Sequence, residues 1–383
     1  MTSRWQPEHL TKIGNPADRT TPVFSAAQCQ RMFPDLYIWD PWPVCLTDGT
    51  VTTIAGRTIW MGLAASAALQ PNERHDVARI RLFSNLDGQW HDHGWLFDTG
   101  STPGSREWAG CASYDPETDK LEVWYTATGF KGEQQVSFVQ RVFATEGILS
   151  VSEQGVSVAD WTPHKELVGA GWPYQSTAQQ LTGEAGFIKA FRDPSRFVDQ
   201  KDGASYVLFA GSKADSQTDF DGVVGLAQGT SADGFSLLPA LLEADGVNNE
   251  LERPHIVQYA GLYYLFFSTQ ARTFHPDVSG PTGLYGFVSE RMGGDWLPLN
   301  ESGLVFANPP AEPFQAYSWL VMKDLSVVGF VDFPNLGGML PVELEARGEG
   351  AEVFVGSITP RAQISLQGKR AELVPDLHSR DLP

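Results

Sequence analysis

The apolar positions of this chain fall in short runs of strand length, and helical stripes are weak throughout. Runs rich in aromatic and β-branched residues occur at TIWMGLAA (58–65), LEVWYTAT (121–128), SYVLFAGS (205–212), LYYLFFST (262–269) and LSVVGFVDF (325–333). Each follows a turn-forming segment: LTDGT, DPETDK, VDQKDG, YAG or KD. Before each turn stands a segment mixing aromatic and charged residues: YIWDPWP, REWAGCASY, FRDPSRF, ELERPHIVQ or QAYSWLVM. Strand-forming runs joined by residues that favour tight turns make hairpins. Five hairpins separated by several dozen residues predict an all-β, five-bladed β-propeller, with four-stranded blades around a central axial funnel. A β-sandwich with coincidental spacing is the competing architecture. The expected organisation is a single propeller domain over 1–383, with an N-terminal extension to about 24 and a C-terminal tail from about 368.

The repeat has a chemical consequence. Equivalent positions of a propeller face one funnel, and the segments before the five turns hold Asp40, Glu107, Asp193, Glu252 and Tyr317. Four acids from distant parts of the chain are therefore expected in one pocket. Like charges so close cannot all remain ionised, so at least one pKa is expected to rise. That is the setting for glycoside chemistry, in which one carboxylate attacks and another donates a proton.

Charge narrows the partners. The chain has 27 Lys and Arg against 46 Asp and Glu, a net charge of −19. Such a surface repels nucleic-acid phosphates and anionic lipid, whereas a neutral sugar is compatible with it. Cys29, Cys45 and Cys111 are widely spaced, odd in number and outside any CxxC pattern, and read as small buried residues. The N-terminus lacks the apolar core of a cleaved signal, and no stretch reaches the ~18 apolar residues of a membrane span. A soluble protein is expected, either cytoplasmic or exported without a visible cleaved signal.

Single motifs each have a bland and a sharp reading. Trp39-Asp40-Pro41-Trp42-Pro43 is either a rigid turn capped by Asp40, or a carboxylate framed by indoles that serve as sugar platforms. Arg192-Asp193-Pro194 is either a structural ion pair or an Asp kept ionised by its neighbour to bind hydroxyls or steady positive charge. In Glu250-Leu251-Glu252-Arg253-Pro254-His255, a strand would put Glu250 and Glu252 on one face. Two such carboxylates oppose each other's ionisation, which can create a proton donor; a solvated acidic edge is the alternative. His91-Asp92-His93 reads as decoration of a surface strand, and no metal is expected there.

Taken in order, IWDPWP, REWAGCA, FRDP, ELERPH, SGPTGLYGFV (279–288) and AYSWLVM (316–322) resemble the levansucrase family, which includes inulosucrases and β-fructofuranosidases. The resemblance runs from about Tyr37 to about Leu340. It implies a five-bladed propeller that cleaves sucrose through a covalent fructosyl intermediate and passes fructose to water, sugars or fructans. Carried over by motif, Asp40 looks like the nucleophile, Asp193 the transition-state stabiliser and Glu252 the acid/base. Trp39, Trp108 and Arg192 would line the fructosyl subsite, while Glu250 and Tyr317 would orient the acid/base and touch the glucosyl unit. No cofactor is implied.

The departures from the family pattern are specific. The EWSGS segment, whose first Ser supports the nucleophile, reads EWAGC here, so Ala109 offers no hydroxyl. The Glu after the third-blade strand is replaced by Ala210 in LFAGS. On the acceptor side Gln270 stands where relatives carry Arg or His, with Arg272 two residues on. This favours hydrolysis and short oligosaccharides over long polymer. The calcium-binding Asp of some relatives is Asn249, so no calcium is expected. Two rivals remain: a propeller that binds sugars without cleaving them, and a propeller glycosidase for another furanoside.

Overall fold

The computed structural model describes residues 2–175 and 188–374. Five blades surround an axis. The first comprises Leu36–Cys45, Arg57–Ser66, Arg79–Leu86 and Gln89–Trp95 from the axis outward. The second comprises Arg106–Asp115, Lys120–Thr128, Gln140–Ser152 and Gly155–Ala159. Phe191–Val198, Ser205–Ser212, Gly222–Thr230 and Gly234–Glu243 form the third. The fourth runs from Glu252–Tyr259 through Leu262–Thr269 to Gly283–Ser289, and the fifth from Ala316–Val321 through Ser326–Val331 to Ala362–Gln367 and Arg370–Leu373. Consecutive innermost strands touch, and the fifth blade meets the first, so the ring closes.

Burial explains which strands the apolar pattern announces. Second strands lie between neighbouring blades, and Arg57–Ser66 is buried at eight consecutive positions, 58–65. A strand covered on both faces reads as a continuous apolar run rather than an alternation. The outermost strand Gln89–Trp95 has no fully buried residue and accordingly carries no such run.

The N-terminal segment is pinned to the ring. Ser3 and Arg4 pair in parallel with Leu242 and Glu243, adding a fifth strand to the third blade. Trp5, 1% exposed, packs edge-on against Phe267, Phe274 and Phe287 of the fourth blade region. A buried aromatic of this size is worth roughly 3–5 kcal/mol against alanine. Farther on, the Phe24 N–H donates to Gln315 Oε1 (3.1 Å). At the other end Arg370–Leu373 forms the outer strand of the fifth blade, and the tail from 375 lies outside the described residues. The few helices are short, such as Pro341–Arg347 and Gly350–Val353 between strands of the fifth blade. No helix among the described residues is long and apolar enough to cross a membrane.

Candidate active site

All five innermost strands lose register at the same place near their start. The slip falls between Trp39 and Trp42, Trp108 and Gly110, Arg192 and Ser195, Glu252 and His255, and Tyr317 and Leu320. Each slip leaves one extra residue on the inner strand, a β-bulge that re-aims the side chains beside it. In four blades the first bulged residue is left-handed, with φ of 46° at Asp40, 59° at Asp193, 50° at Arg253 and 59° at Ser318. A residue with a Cβ pays of order 1–3 kcal/mol for that conformation, and such residues cluster where function requires them. The second blade departs from this pattern, since Ala109 is absent from the left-handed residues.

The bulges correct the equivalence expected from sequence. The matched residues are Asp40, Asp193, Arg253 and Ser318, while Glu252 and Tyr317 stand one residue earlier, beside Trp39 and Arg192. Proline was the true anchor, following Asp40, Asp193 and Arg253 alike. Glu107 also leaves the expected cluster. Its carboxylate accepts from the Ile80 N–H (2.8 Å) and the Thr102 hydroxyl (3.3 Å), with Arg79 at 3.9 Å, tying the second blade to the first. Burial pushes its pKa up to about 7.

Three acids do meet. Asp40, Asp193 and Glu252, from three blades, lie within electrostatic reach of one another. Arg192 ties two of them to Glu250: its Nη2 is 2.9 Å from Glu252 Oε1 and 3.4 Å from Glu250 Oε1, and its Nε is 3.8 Å from Asp193 Oδ2. Glu250, in the coil before the strand, and Glu252, its first residue, thus both reach one guanidinium. Burial alone would lower the Arg192 pKa, but Glu252, Glu250 and Asp193 together hold it above its usual value. The Tyr317 hydroxyl donates to the other Glu252 oxygen, Oε2. Glu250 is fixed from behind, its N–H donating to Asn248 Oδ1 (2.7 Å).

Burial moves the carboxyls of the pocket. Desolvation raises Asp40, opposed first by Arg253 and then by a hydrogen bond from Ser318. It also raises Asp193 and Glu250, and in both cases overcomes the neighbouring Arg192. Burial thus works against the adjacent guanidinium that the sequence offers to keep Asp193 ionised. Arg192 is shared among three carboxylates, and Asp193 is 6% exposed.

The indoles stand as a wall. Trp39 and Trp108 are both buried and meet edge-on at His75, whose carbonyl accepts from Trp108 Nε1 (3.1 Å). Arg74, from the same turn, places its guanidinium over the Trp39 ring at 5.5 Å. Gln270 hydrogen-bonds the Tyr317 hydroxyl, and its Oε1 accepts from Arg272 Nε (2.9 Å). Arg272 is exposed, with Glu250 and Asp332 in electrostatic reach. Sequence reasoning missed His75, Arg74, Arg253 and Ser318; only the last two had a signal, their place in the repeat.

Other motifs do not join this site. Asp92 is held by Arg81 (2.8 and 2.6 Å) and His93 by the Ser84 hydroxyl (2.8 Å). Among the described residues no group of His, Cys, Asp or Glu is arranged to hold a metal ion. The three cysteines are free and half-buried rather than fully buried. Cys45 and Cys111 line a cavity of about 160 Å³ behind Asp193 and Arg253, and burial pushes both thiols up to about 12.

The same arrangement has relatives. A family model described as Levansucrase/Invertase matches residues 1–225 and 218–375. A levansucrase of Pseudomonas savastanoi pv. glycinea is 31% identical over 96% of this chain and 89% of its own length. An extracellular sucrase of Zymomonas mobilis is 30% identical over 96% of this chain and 91% of its own. Among solved structures, an inulosucrase from Halalkalicoccus jeotgali bound to kestose superposes with a TM-score of 0.91 at 35% identity, covering 100% of this chain and 98% of that one. With its propeller, its ring of bulges and these matches, the chain belongs to the levansucrase and invertase family, enzymes of the glycoside hydrolase and fructosyltransferase type.

Proposed function

We propose that this enzyme cleaves sucrose by double displacement, with Asp40 as nucleophile, Glu252 as acid/base and Asp193 as transition-state stabiliser. The observation that supports it most is the meeting of three carboxyls from three blades, with Glu252 bonded on one oxygen by Arg192 and on the other by Tyr317. In the first half-reaction Glu252 gives its proton to the glycosidic oxygen, glucose departs, and Asp40 forms an ester to the fructosyl anomeric carbon. While Glu252 carries the proton, the Tyr317 hydroxyl can reverse its hydrogen bond and accept. In the second half Glu252 takes a proton from water or a sugar hydroxyl, whose oxygen displaces Asp40. Trp39, Trp108 and Arg192 line the fructosyl subsite in this reading. Glu250 and Tyr317 flank the glucosyl unit, and Gln270 and Arg272 stand at the acceptor side.

Incubation with sucrose, with free glucose and free fructose measured separately, tests the proposal. Equal amounts mean hydrolysis, and glucose in excess means transfer to sugar acceptors. Release of neither sugar would overturn the reading and leave a sugar-binding propeller or a glycosidase of another furanoside.

A further inference from the structure

Four of the five bulges have a left-handed first residue, and one of those residues is a cation. Arg253 is 5% exposed, and it enters no ion pair among the described residues. A charge buried without a bonded counter-ion costs several kcal/mol, so its retention calls for a reason. Its hydrogen bonds supply one. Nη2 donates to the Pro41 carbonyl (2.7 Å), Nη1 to the Ser318 carbonyl (2.9 Å), and Nη1 also reaches the Ser318 hydroxyl (3.4 Å). Its own N–H donates to Asp193 Oδ2 (3.3 Å). One residue of the fourth blade therefore grips the bulges of the first, third and fifth.

We propose that Arg253 is a positioning residue for the nucleophile, favouring the carboxylate form of Asp40 and aiming it through Pro41 and Ser318 rather than by touching its carboxylate. The inference rests on the reading of Asp40 as nucleophile. Pro41 directly follows Asp40, so fixing its carbonyl fixes the peptide that sets the Asp40 bulge. Ser318 takes the Arg253 hydrogen bond and passes one to Asp40. It thereby supplies the hydroxyl that Ala109 lacks. An ion pair to the attacking carboxylate would occupy the lone pairs that must reach the sugar, whereas a cation held at one remove stabilises the charge and leaves them free. The charged groups facing Asp40 are Arg253 and Glu252 from the fourth blade, Asp193 from the third, Arg74 from the turn after the first-blade hairpin, and Asp332 from the fifth. Arg253 is the first among those that oppose the effect of burial.

The test is the pH profile of kcat/KM on sucrose for Arg253→Met, Arg253→Lys and Ser318→Ala. Asp40 must be ionised to attack, so its pKa sets the acid limb, and loss of a cation or hydrogen bond raises that pKa. For Arg253→Met the acid limb should move toward neutral by about one pH unit or more. Its optimal kcat should fall about a hundredfold with KM within about threefold, since the loss lies in the transition state. Arg253→Lys should return the limb most of the way but not the rate, because one ammonium cannot fork to two blades. Ser318→Ala should move the limb the same way by a smaller step. A merely structural role would lower activity at every pH and leave the limb in place, and that result in the folded variants overturns the inference. Should Arg253→Met fail to fold, an unmoved limb in Ser318→Ala overturns it alone. An active Asp40→Asn enzyme would instead sink the nucleophile assignment, which separates the two failures.

Discussion

Two carboxyls of one pocket are held in opposite ways. Glu252 is bonded on both oxygens, by Arg192 at 2.9 Å and by the Tyr317 hydroxyl. Asp40 enters no ion pair among the described residues; Arg253 reaches it through a proline carbonyl and a serine hydroxyl. The contrast matches the roles proposed for the two groups. An acid/base has to keep its plane while a proton comes and goes, so direct bonds serve it. A nucleophile has to present a lone pair to carbon, so its stabilising charge is kept one bond away. The pocket thus separates orientation by contact from orientation by scaffold.

The most severe break in this comparison is Asp40→Asn. The amide is nearly isosteric but cannot form the ester, so glucose release from sucrose should fall by about 10⁴-fold or more while the fold is kept. A variant retaining more than about a hundredth of the wild-type rate would remove Asp40 from the role. Next comes Glu252→Gln, which should cost about 10²- to 10⁴-fold on sucrose. A fructosyl donor whose leaving group needs no proton should still load the enzyme. Equal losses on both donors would show that Glu252 is not the acid. Tyr317→Phe removes one of the two direct bonds and should cost about 10- to 100-fold on sucrose, the range for a hydrogen bond to a charged group. Because that bond orients the acid, the activated donor should be spared here also, and an equal loss on both would place Tyr317 elsewhere in the cycle.

The direct contacts were more legible in the sequence than the indirect ones, for physical reasons. Five hairpins could be read because each second strand is buried on both faces and each connection carries turn-forming residues. Gln89–Trp95 could not, because an outer strand exposed to water carries no apolar signature. The parallel pair Ser3–Arg4 with Leu242–Glu243 was equally hidden, since two residues have no period and their partner lies across the chain. Within the site, Glu250 lies just before the strand Glu252–Tyr259 rather than on a strand face, yet one guanidinium binds both carboxylates. Adjacency alone did not reveal that Arg192, beside Asp193, is shared with Glu250 and Glu252. Arg253 breaks the run of acids at equivalent positions, although the proline after it puts a cation in register with Asp40 and Asp193. Ser318 had no such proline, being followed by Trp319.

The smallest effect is expected at the rim, where the acceptor meets the acid/base. Transfer requires a sugar hydroxyl to outcompete water at the fructosyl intermediate, so the enzyme must bind and orient that sugar. Gln270 is committed on both sides, bonded to the Tyr317 hydroxyl and accepting from Arg272 Nε at 2.9 Å. The amide therefore draws Arg272 toward the acceptor side but leaves its guanidinium exposed and anchored at one nitrogen. A charged donor at 270 itself would stand beside the Tyr317 hydroxyl and hold a sugar hydroxyl more firmly than a neutral amide. Wild type should accordingly give mainly hydrolysis and short oligosaccharides at high sucrose. Gln270→Arg should raise the ratio of transfer to hydrolysis about two- to fivefold, a fraction of the 1.4 kcal/mol that a tenfold change represents. Repulsion from Arg272 works against the gain, so Gln270→Arg combined with Arg272→Ala should exceed the single variant. Abundant long fructan from wild type would refute the idea at once. An unchanged ratio in both variants would show that acceptor control lies away from this rim.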